Sequence, residues 1–472
     1  MKNVKVRFPP SPTGYLHIGS LRTALFNWLW ARKNNGQFIL RIEDTDQERY
    51  VEGAVENIKE TLDWYGLDID EGPIFQSERL EIYKQHVEML ISAGKAYYCF
   101  CTAARLEEVR KIQKANKQAT KYDGLCRSLS KDEVISKINN GKPYVVRLKI
   151  PSAGQTEFDD MIYGKIKVEN KNIDDQVLMK SDGFPTYHLA NVVDDYKMGI
   201  THVIRAEEWL PSTPKHIILY QAFDWPLPMF AHLPMVLGSD RAKLSKRHGA
   251  VAALEYKKEG YLPEAILNFI ALLGWNPKTE KELFSIEELI KEFDLTKVNK
   301  SSAIFNIEKL NWLNSHYIRN IDLDELVELS KPFLVNIPID DRIKPAINLA
   351  RERVRSLHEI NEAIQFIYQE DLEYNPEILI SKKDNLEDTT NSLSGSLKLL
   401  KSIDKSNFDS ENLKNIFVKY IKDEKLNTRV VLWPLRVSVT GLENSPDVFD
   451  VMQVIGKEIV IKRVQKALEN LQ

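Results

Sequence analysis

The chain has 472 residues, of which 43% are apolar, and its formal net charge at pH 7 is −3. This length allows about three domains or more, and the apolar fraction predicts packed cores and excludes a disordered chain. The charge excludes a protein that binds polyanions through its bulk charge, so any RNA contact must come from local basic faces.

The cysteine count and the N-terminus bear on the compartment. Three cysteines in a chain this long exclude a disulfide scaffold and favour a reducing compartment. The first predicted strand follows Met1 almost at once, and no run of about 18 apolar residues is found. We therefore expect a soluble, cytoplasmic protein without a signal peptide or a membrane span.

The first thirty residues predict a strand, a loop and a helix. Residues 4–8 alternate apolar and charged side chains, which predicts a short strand, and three prolines and Gly14 then end it. Apolar residues recur at helical spacing over residues 21–29, and Ser20 is placed to cap this helix. Such a unit points backbone N–H groups into the loop, which favours phosphate binding.

Two short motifs suggest chemistry on phosphates. His17 adds a hydrogen-bond donor beside the loop, and Gly19 removes a side chain where a flat ring could lie against the backbone. The segment AKLSKRHG at residues 242–249 contains Lys243, Lys246 and Arg247 and has no regular period, so we expect a mobile loop. Two lysines at this spacing suit a polyphosphate whose charge moves during a reaction. Each motif alone is usually an ordinary turn or a solvated basic loop, but both on one chain are much rarer.

The remaining patterns predict an α/β core, an insertion and a helical C-terminal region. Strands and helices alternate over residues 1–94, which predicts a parallel sheet whose strand exits bind the ligand. The rhythm is lost over residues 95–185, which we interpret as an insertion, and the core resumes over residues 186–238. Helical patterns dominate from residue 254 onward, and the polar stretch at 382–406 predicts a flexible junction.

These motifs resemble those of a known enzyme family. His17-Ile18-Gly19-Ser20 and Lys243-Leu244-Ser245-Lys246-Arg247 resemble the two signature motifs of class I aminoacyl-tRNA synthetases. The longer words RFPPSPTGYLHIG, RIEDTD, YHLANVVDD, VIRAEEWLPSTPKH and KLSKRHG resemble the bacterial glutamyl-tRNA synthetases specifically. The resemblance covers nearly the whole chain.

The resemblance implies a fold and a domain order. It implies a class I Rossmann-like nucleotide-binding core (1–94 and 186–238) interrupted by an inserted domain (95–185) that binds the tRNA acceptor end. A domain with the lysine loop and a stem contact (239–320) and a mostly α-helical anticodon-binding region (321–472) would follow. A helical tail fits the bacterial type, since the archaeal–eukaryotic glutamyl enzymes and the glutaminyl enzymes have β-barrels there.

The resemblance also implies a two-step reaction and its residues. Glutamate would attack the α-phosphate of ATP, used with Mg²⁺, and the adenylate would then acylate the terminal adenosine of tRNA(Glu). The implied catalytic residues are His17, Lys243 and Lys246. The implied ATP-binding residues are His17, Gly19, Ser20, Lys243, Leu244, Ser245 and Lys246. The implied glutamate-binding residues are Arg7, Ser11, Glu43, Tyr187, Asn191, Arg205 and Trp209.

These residue types suit a dicarboxylic amino acid. Arginine forks fit carboxylates with two hydrogen bonds, and a carboxylate fits an ammonium group. Arg7 and Arg205 lie on predicted strands that end at the site, and Glu43 follows another strand. Each residue taken singly could have an ordinary role in the core or on the surface.

All three cysteines fall in the insertion, at Cys99, Cys101 and Cys126. Three thiolates and a fourth donor would satisfy tetrahedral zinc. In many relatives a histidine follows the third cysteine by two residues, but Ser128 stands there in this chain. Tyr122 matches an alternative ligand of a shorter relative. Two interpretations are open. The cysteines bind zinc with Tyr122 as the fourth ligand, or they are three buried thiols without a metal.

The C-terminal region offers a candidate contact to the anticodon. Arg351, Arg353 and Arg355 alternate with other residues, and at helical spacing Arg351 and Arg355 would share one face that could approach phosphates. A solvated charged face is an equally good interpretation. Arg353 is our candidate for contact with an anticodon base.

Other functions compete with a glutamate–tRNA ligase that acts as a monomer. A glutamyl transferase that modifies tRNA would lack the helical tail, and an inactive RNA-binding paralogue would have lost one of the two motifs. A glutaminyl ligase is disfavoured by the helical tail, and a small-molecule nucleotidyltransferase would need neither the tail nor the insertion. The sequence leaves open whether tRNA(Gln) is charged as well.

Overall fold

The chain forms two compact units. The computed structural model describes residues 3–242, 244 and 251–471. Unit 1 comprises Met1–Tyr256 and Ile266–Ile307, and unit 2 comprises Lys257–Ala265 and Glu308–Gln472. The chain therefore enters unit 2 briefly, returns to unit 1 and enters unit 2 again.

Unit 1 contains the β-structure of the described residues. Its strands are β1 (Lys5–Phe8), β2 (Gln37–Ile42), β3 (Glu71–Phe75), β4 (Ala96–Cys99), β5 (Val145–Leu148), β6 (Gln155–Asp160), β7 (Gly164–Glu169), β8 (Val177–Met179), β9 (His202–Ala206), β10 (Met229–Leu233), β11 (Val236–Leu237) and β12 (Ala303–Ile304). The order β1-β2-β3 is parallel throughout, and β9 pairs in parallel with β10. The strands β4, β5 and β8 instead form an antiparallel sheet within the predicted insertion.

The helices follow the predicted order. They are α1 (Ile18–Lys33), α2 (Ala54–Trp64), α3 (Leu80–Ser92), α4 (Ala103–Ala115), α5 (Lys131–Asn139), α6 (Tyr187–Lys197), α7 (Thr213–Ala222), α8 (Glu255–Lys258), α9 (Pro263–Leu272), α10 (Ile286–Glu292), α11 (Ile307–Asn320), α12 (Leu323–Ser330), α13 (Ile343–Ala350), α14 (Ile360–Tyr368), α15 (Leu386–Ser402), α16 (Ser410–Asp423), α17 (Thr428–Thr440), α18 (Val448–Ile455) and α19 (Lys457–Asn470). The prediction of an α/β core with a helical C-terminal region is confirmed. Across the described part of the chain, none of these helices has the length and apolar character needed to cross a membrane.

The stretch at 382–406 is not a flexible junction, as the sequence suggested. Most of it is α15, which Asn385 caps by accepting a hydrogen bond from the Asp388 N–H. Leu393 and Leu400 are both fully buried in the core of unit 2. The stretch is polar and poor in aromatics, but its leucines recur at helical spacing, and that spacing decides its structure.

The predicted shared helical face of Arg351 and Arg355 is also wrong. The helix α13 ends at Ala350, and the following residues form turns. Arg351 Nη2 donates instead to three main-chain carbonyls at the end of α11, where carbonyls lack partners within the helix. These carbonyls belong to Ile318, Arg319 and Ile321. Arg353 is exposed on a turn, and its proposed base contact stays a prediction.

The segment Lys257–Ala265, which belongs to unit 2, is tightly packed within that unit. Gly260 has a φ of +76°, and a Cβ at this position would lie 2.5 Å from the His358 nitrogen. Its carbonyl accepts the Leu357 N–H at 2.8 Å. Leu262 and Ala265 are buried in the core of unit 2. This position therefore requires glycine, both for its backbone conformation and for the close approach of a second segment.

Candidate active site

His17 stands at the N-terminal end of α1. Its Nδ1 accepts hydrogen bonds from the backbone N–H groups of Gly19 at 3.1 Å and Ser20 at 3.3 Å. The cap is therefore His17, and the predicted cap Ser20 is wrong, because a ring nitrogen serves here in place of a hydroxyl. Since Nδ1 accepts, a neutral ring has its proton on Nε2. The exposed ring lies at a helix N-terminus, where anions are favoured, with its Nε2 3.3 Å from Ser20 Oγ.

The structure gives a second reason for glycine at position 19, which is its packing against the His17 ring. A Cβ at this position would lie 3.0 Å from His17 Cε1 and 3.1 Å from its Nδ1. A side chain would press on the ring that caps the helix. Glycine at this position therefore keeps the imidazole in place, and the predicted room for adenosine stays a prediction.

Of the lysine motif, Leu244 is described and is half-buried. Lys243, Ser245 and Lys246 lie outside the described residues, so their predicted roles stay predictions. The chain on either side of the motif belongs to unit 1. Beyond it, Ala252 forms an isolated antiparallel bridge with His17. The segment that follows the lysine motif therefore contacts His17 of the first motif through its backbone.

Two strand arginines share one buried carboxylate on α6. Arg7 of β1 donates to Asp195 from Nε at 2.9 Å and from Nη2 at 3.3 Å. Arg41 of β2 donates from Nη1 to Asp195 at 2.7 Å and from Nη2 to Glu43 at 3.0 Å. The Asn191 amide fits between them when its nitrogen donates to Asp195 and its oxygen accepts from Arg41. Two cations and two carboxylates thus balance in charge.

The Arg7 guanidinium still has a free group. Its Nη1 is buried and, within the described part of the chain, has no hydrogen-bond partner. A buried N–H without a partner is costly, and an ordered water or a ligand usually supplies the missing acceptor. Arg7 Nη1 is therefore a donor that an anionic ligand beside it can use. Ser11 is exposed in the adjoining loop, and the preceding Pro10 carbonyl accepts the Glu43 N–H at 3.0 Å.

Arg205 of β9 reaches the same site with different partners. Its Nη1 lies 2.9 Å from Tyr187 Oη and 3.2 Å from His216 Nδ1, and its side chain is almost fully buried. Among the described residues it forms no ion pair with a carboxylate. The Tyr187 and Trp209 rings lie with their centroids 4.2 Å apart. Arg205 is thus a buried cation whose charge the adjoining side chains do not neutralise.

The pKa values fit one connected site. Burial raises the pKa of Glu43 above its ordinary value, although Arg41 and Arg7 oppose this rise. Burial also raises the pKa of Tyr187, while Arg205 and Arg7 lower it and Glu43 raises it. Tyr187 therefore lies within electrostatic reach of both arginines and of the carboxylate. Direct contacts join Arg205, Tyr187 and Trp209 in one group and connect Arg7, Glu43 and Asn191 through Asp195 and Arg41 in another, and Ser11 lies in the adjoining loop.

The three cysteines converge in the insertion. Their sulfur atoms lie within 4.8 Å of one another, and Cys101 Sγ is 3.6 Å from Cys126 Sγ. Tyr122 Oη lies 3.5 Å from the sulfur atoms of Cys99 and Cys101. Zinc–sulfur bonds of about 2.3 Å place tetrahedral ligands about 3.8 Å apart. The three sulfur atoms therefore suit a zinc ion, and Tyr122 Oη lies near two of them as a candidate for the fourth donor.

Comparison with known proteins decides the family. Residues 3–312 match the model of the class I tRNA synthetases (E and Q), catalytic domain, and residues 325–468 match an anticodon binding domain. A glutamate–tRNA ligase of Dehalococcoides mccartyi is 45% identical, with 99% of this chain and 98% of the relative covered. The glutamate–tRNA ligase 2 of Thermoanaerobacter pseudethanolicus is also 45% identical, with 100% and 99% covered. This chain belongs to the glutamate–tRNA ligases.

A solved structure agrees with this assignment. The glutamate–tRNA ligase from Elizabethkingia meningosepticum, solved in complex with its amino acid, is 38% identical and superposes with a TM-score of 0.92. The alignment covers 100% of both chains. The predicted membership in the bacterial-type class I synthetases is thus confirmed over the whole length.

Sequence reasoning missed several residues of the site. Arg41 and Asp195 lie within the motifs RIEDTD and YHLANVVDD, so their acidic and basic character could have drawn attention to them. Asp160 and His232 carry no motif, and they reach Arg205 only through the pairing of β6, β10 and β9. Only the fold reveals that they belong to this site.

Proposed function

We propose that this chain ligates L-glutamate to tRNA(Glu) in two steps. A glutamate carboxylate oxygen attacks the α-phosphorus of ATP, and the bond to the β-phosphate breaks as pyrophosphate leaves. A hydroxyl of the terminal tRNA adenosine then attacks the acyl carbon of the adenylate, and AMP leaves. Both steps need positioning and charge stabilisation more than a covalent nucleophile of the protein.

One observation supports this function above the others, namely the charge of the amino-acid pocket. Arg7 and Arg41 are balanced by Asp195 and Glu43, whereas Arg205 has no carboxylate partner among the described residues. The side chains assigned to the amino acid therefore carry one net positive charge, and the next carboxylate, Asp160, is separated from Arg205 by the His232 ring. Glutamate has one net negative charge, and glutamine has none. Glutamine would leave a buried guanidinium uncompensated, which is strongly unfavourable.

We assign the groups of glutamate accordingly. The ammonium group faces Glu43, whose raised pKa an adjacent cation would lower again. The side-chain carboxylate binds Arg205, and the other carboxylate takes the free Nη1 of Arg7. Tyr187, Asn191, Trp209 and Ser11 complete the pocket.

We assign the phosphates of ATP to the two motifs. His17 donates from Nε2, the backbone N–H groups at the start of α1 face the same site, and Lys246 with Lys243 neutralises the departing pyrophosphate. Gly19, Ser20, Leu244 and Ser245 complete the ATP site. Mg²⁺ accompanies ATP as part of the substrate.

Loss of Lys246 tests the reaction. We expect the intact protein to charge tRNA(Glu) with labelled glutamate, and Lys246→Ala to lower the rate by about 10²–10³-fold, as for loss of one preorganised donor. Lys466→Ala, at an exposed position on α19, is the matched control. If the intact protein charges neither tRNA(Glu) nor tRNA(Gln), the proposed function fails. The chain would then be interpreted as a tRNA-modifying enzyme or an inactive paralogue. If it charges both, it is a non-discriminating ligase.

We further propose a structural zinc ion held by Cys99, Cys101, Cys126 and Tyr122. Such an ion would fix the start of the insertion, which we propose binds the tRNA acceptor end, while unit 2 binds the anticodon with Arg353 at a base. The three cysteines are free thiols, which suits a cytoplasmic enzyme. We propose that it acts as a monomer.

The oxygen of Tyr122 provides the test of the zinc site. The Tyr122 ring lies under Arg147, with 4.1 Å between the guanidinium carbon and the ring centroid, and Tyr122→Phe keeps this contact. We expect one zinc per chain, and an affinity lowered more than about 10-fold in Tyr122→Phe, since even outer partners of metal ligands contribute about 10–100-fold. Chelator competition measures this affinity, and Tyr144→Phe is the control. A zinc-free protein, or equal affinity in Tyr122→Phe, would contradict the assignment.

A further inference from the structure

A buried chain of polar groups extends from Arg205 away from the pocket. Arg205 Nε donates to His232 Nε2 at 3.2 Å, and Arg205 Nη2 donates to Thr213 Oγ1 at 2.9 Å. His232 Nδ1 lies 2.6 Å from Asp160 Oδ2. The side chains of Asp160 and His232 are completely buried. Thr213 lies in the motif VIRAEEWLPSTPKH, whereas Asp160 and His232 lie outside the motifs that identify the ATP and amino-acid sites.

The arginine fixes the protonation of His232. A guanidinium has only donors, so His232 Nε2 accepts from it through its lone pair, and the Thr213 hydroxyl, 3.0 Å from the same nitrogen, can donate to it as well. The proton of the ring is then on Nδ1, where it is donated to Asp160. An imidazolium would instead point a second N–H at the guanidinium. Burial lowers the pKa of His232 despite the nearby Asp160, which agrees with a neutral ring.

Asp160 is built to hold this tautomer. Its Oδ1 accepts the backbone N–H groups of Ile162 and Tyr163, both at 2.9 Å. Its Oδ2 accepts the backbone N–H of His232 at 3.1 Å as well as the Nδ1–H. Three backbone N–H groups thus fix the orientation of the carboxylate and leave Oδ2 beside the imidazole, where it can accept the Nδ1–H.

His216 on the other side of the guanidinium follows the same logic. Its Nδ1 accepts from Arg205 Nη1 at 3.2 Å, so its own proton is on Nε2, which donates to His188 Nδ1 at 3.0 Å. Burial and Arg205 lower the pKa of His216 well below its ordinary value. Burial, Lys215 and Arg205 lower the pKa of His188 to about 3. Two neutral imidazoles therefore hold the guanidinium without neutralising it.

We propose that Asp160 and His232 are positioning residues that hold the Arg205 guanidinium in the orientation that receives the side-chain carboxylate of the amino acid. This inference rests on the proposed function and deepens it. With Nε held by His232, one Nη2–H remains without an acceptor among the described residues and is available to the substrate. The opposite tautomer of His232 would point a proton at Arg205 Nε and turn the guanidinium away.

A pair of amide variants separates positioning from packing. In His232→Asn the amide nitrogen can replace Nδ1 toward Asp160, but no acceptor reaches Arg205. In His232→Gln the amide oxygen can take the place of Nε2 and accept from Arg205. We expect His232→Asn to raise the KM for glutamate about 10-fold or more, consistent with loss of a hydrogen bond to a charged group. We expect KM for ATP to change less than twofold, and His232→Gln to restore most of the loss.

His86→Asn is the matched control in the same unit. His86 is buried beside Phe223, bonds to the Ile82 carbonyl and does not contact Arg205. We expect it to lower the melting temperature without changing the KM for glutamate. If the role of His232 is purely structural, both His232 variants should be equally defective, and all their kinetic constants should change together. That result would overturn the proposal. If the wild type charges no tRNA, the proposed function itself fails.

A second measurement needs no variant. In protein labelled with ¹⁵N only at its nine histidines, long-range proton–nitrogen correlation shows which nitrogen of each ring is protonated. We expect His232 to have its proton on Nδ1 across the neutral pH range, with the ring signals assigned through their nuclear Overhauser contacts to the backbone amide of the same residue. A proton on Nε2, or an imidazolium, would overturn the positioning role even if the amide variants do not fold.

Discussion

Replacing Arg205 with glutamine is expected to lower kcat/KM for glutamate about 10³-fold in tRNA charging. Removing one partner of a buried charge pair costs about 2–5 kcal/mol, and 10³-fold corresponds to about 4 kcal/mol. Arg205 is 4% exposed and is the only cation of the pocket that, within the described part of the chain, lacks a carboxylate partner. Arg205→Lys keeps the charge but loses the fork, and we expect it to lose about 10²-fold.

Arg205→Gln should also discriminate less well between glutamate and glutamine. With the net positive charge removed, glutamate loses its electrostatic advantage over glutamine, so the ratio of their kcat/KM values should fall by at least about 10-fold. The control is Arg32→Gln, which removes a partly exposed ion pair with Asp68 and Asp70 at the end of α1. A kcat/KM of Arg205→Gln within tenfold of the wild type would exclude Arg205 from carboxylate binding.

Replacing Asp195 with asparagine is expected to lower the free energy of unfolding of unit 1 by about 3–5 kcal/mol at pH 7. The substitution leaves the buried guanidinium groups of Arg7 and Arg41 with one carboxylate between them, and a broken buried ion pair costs about this much. Urea denaturation of both proteins measures the difference. Asp68→Asn, at an exposed ion pair, should cost at most about 1 kcal/mol.

The stabilisation by Asp195 should depend on pH. Burial alone would raise the pKa of Asp195, but Arg7 and Arg41 outweigh burial and hold it below the ordinary value. A carboxyl group with a lower pKa in the folded state stabilises the fold above its unfolded pKa of about 3.9 and loses this contribution as the pH falls through the folded value. The difference between wild type and Asp195→Asn should therefore be constant above about pH 5 and shrink below pH 4. A difference that is independent of pH would contradict the pairing.

The sequence predicts the parts of the site that lie at strand exits and helix starts. The alternation in residues 4–8 and the helical period after Gly19 correctly predict β1 and α1, because local patterns decide these elements. The motifs likewise select Arg7, Glu43 and Arg205, which lie on or directly after β1, β2 and β9, and their role in binding glutamate stays a prediction. In each case the residue type and its place in a predicted element are enough.

The supporting residues could not be predicted in this way. The ion pair of Arg7 with Asp195 spans 188 positions, and the contact of Asp160 with His232 spans 72. No local period connects such residues, since their contact depends on the order in which strands join a sheet. The cap by His17 was missed for another reason, because a histidine ring accepts two backbone N–H groups where a hydroxyl is the usual acceptor.

The brief passage of residues 257–265 through unit 2 limits how genes of this family can recombine. A single crossover near residue 308 would exchange most of the helical unit with that of a relative, but it would leave Gly260, Leu262 and Ala265 from the original parent. The foreign helices would then have to supply an N–H in place of that of Leu357, which donates to the Gly260 carbonyl, and an acceptor in place of Asn314 Oδ1, which accepts the Leu262 N–H, at 2.8 Å each. Viable hybrids should therefore inherit both segments from one parent.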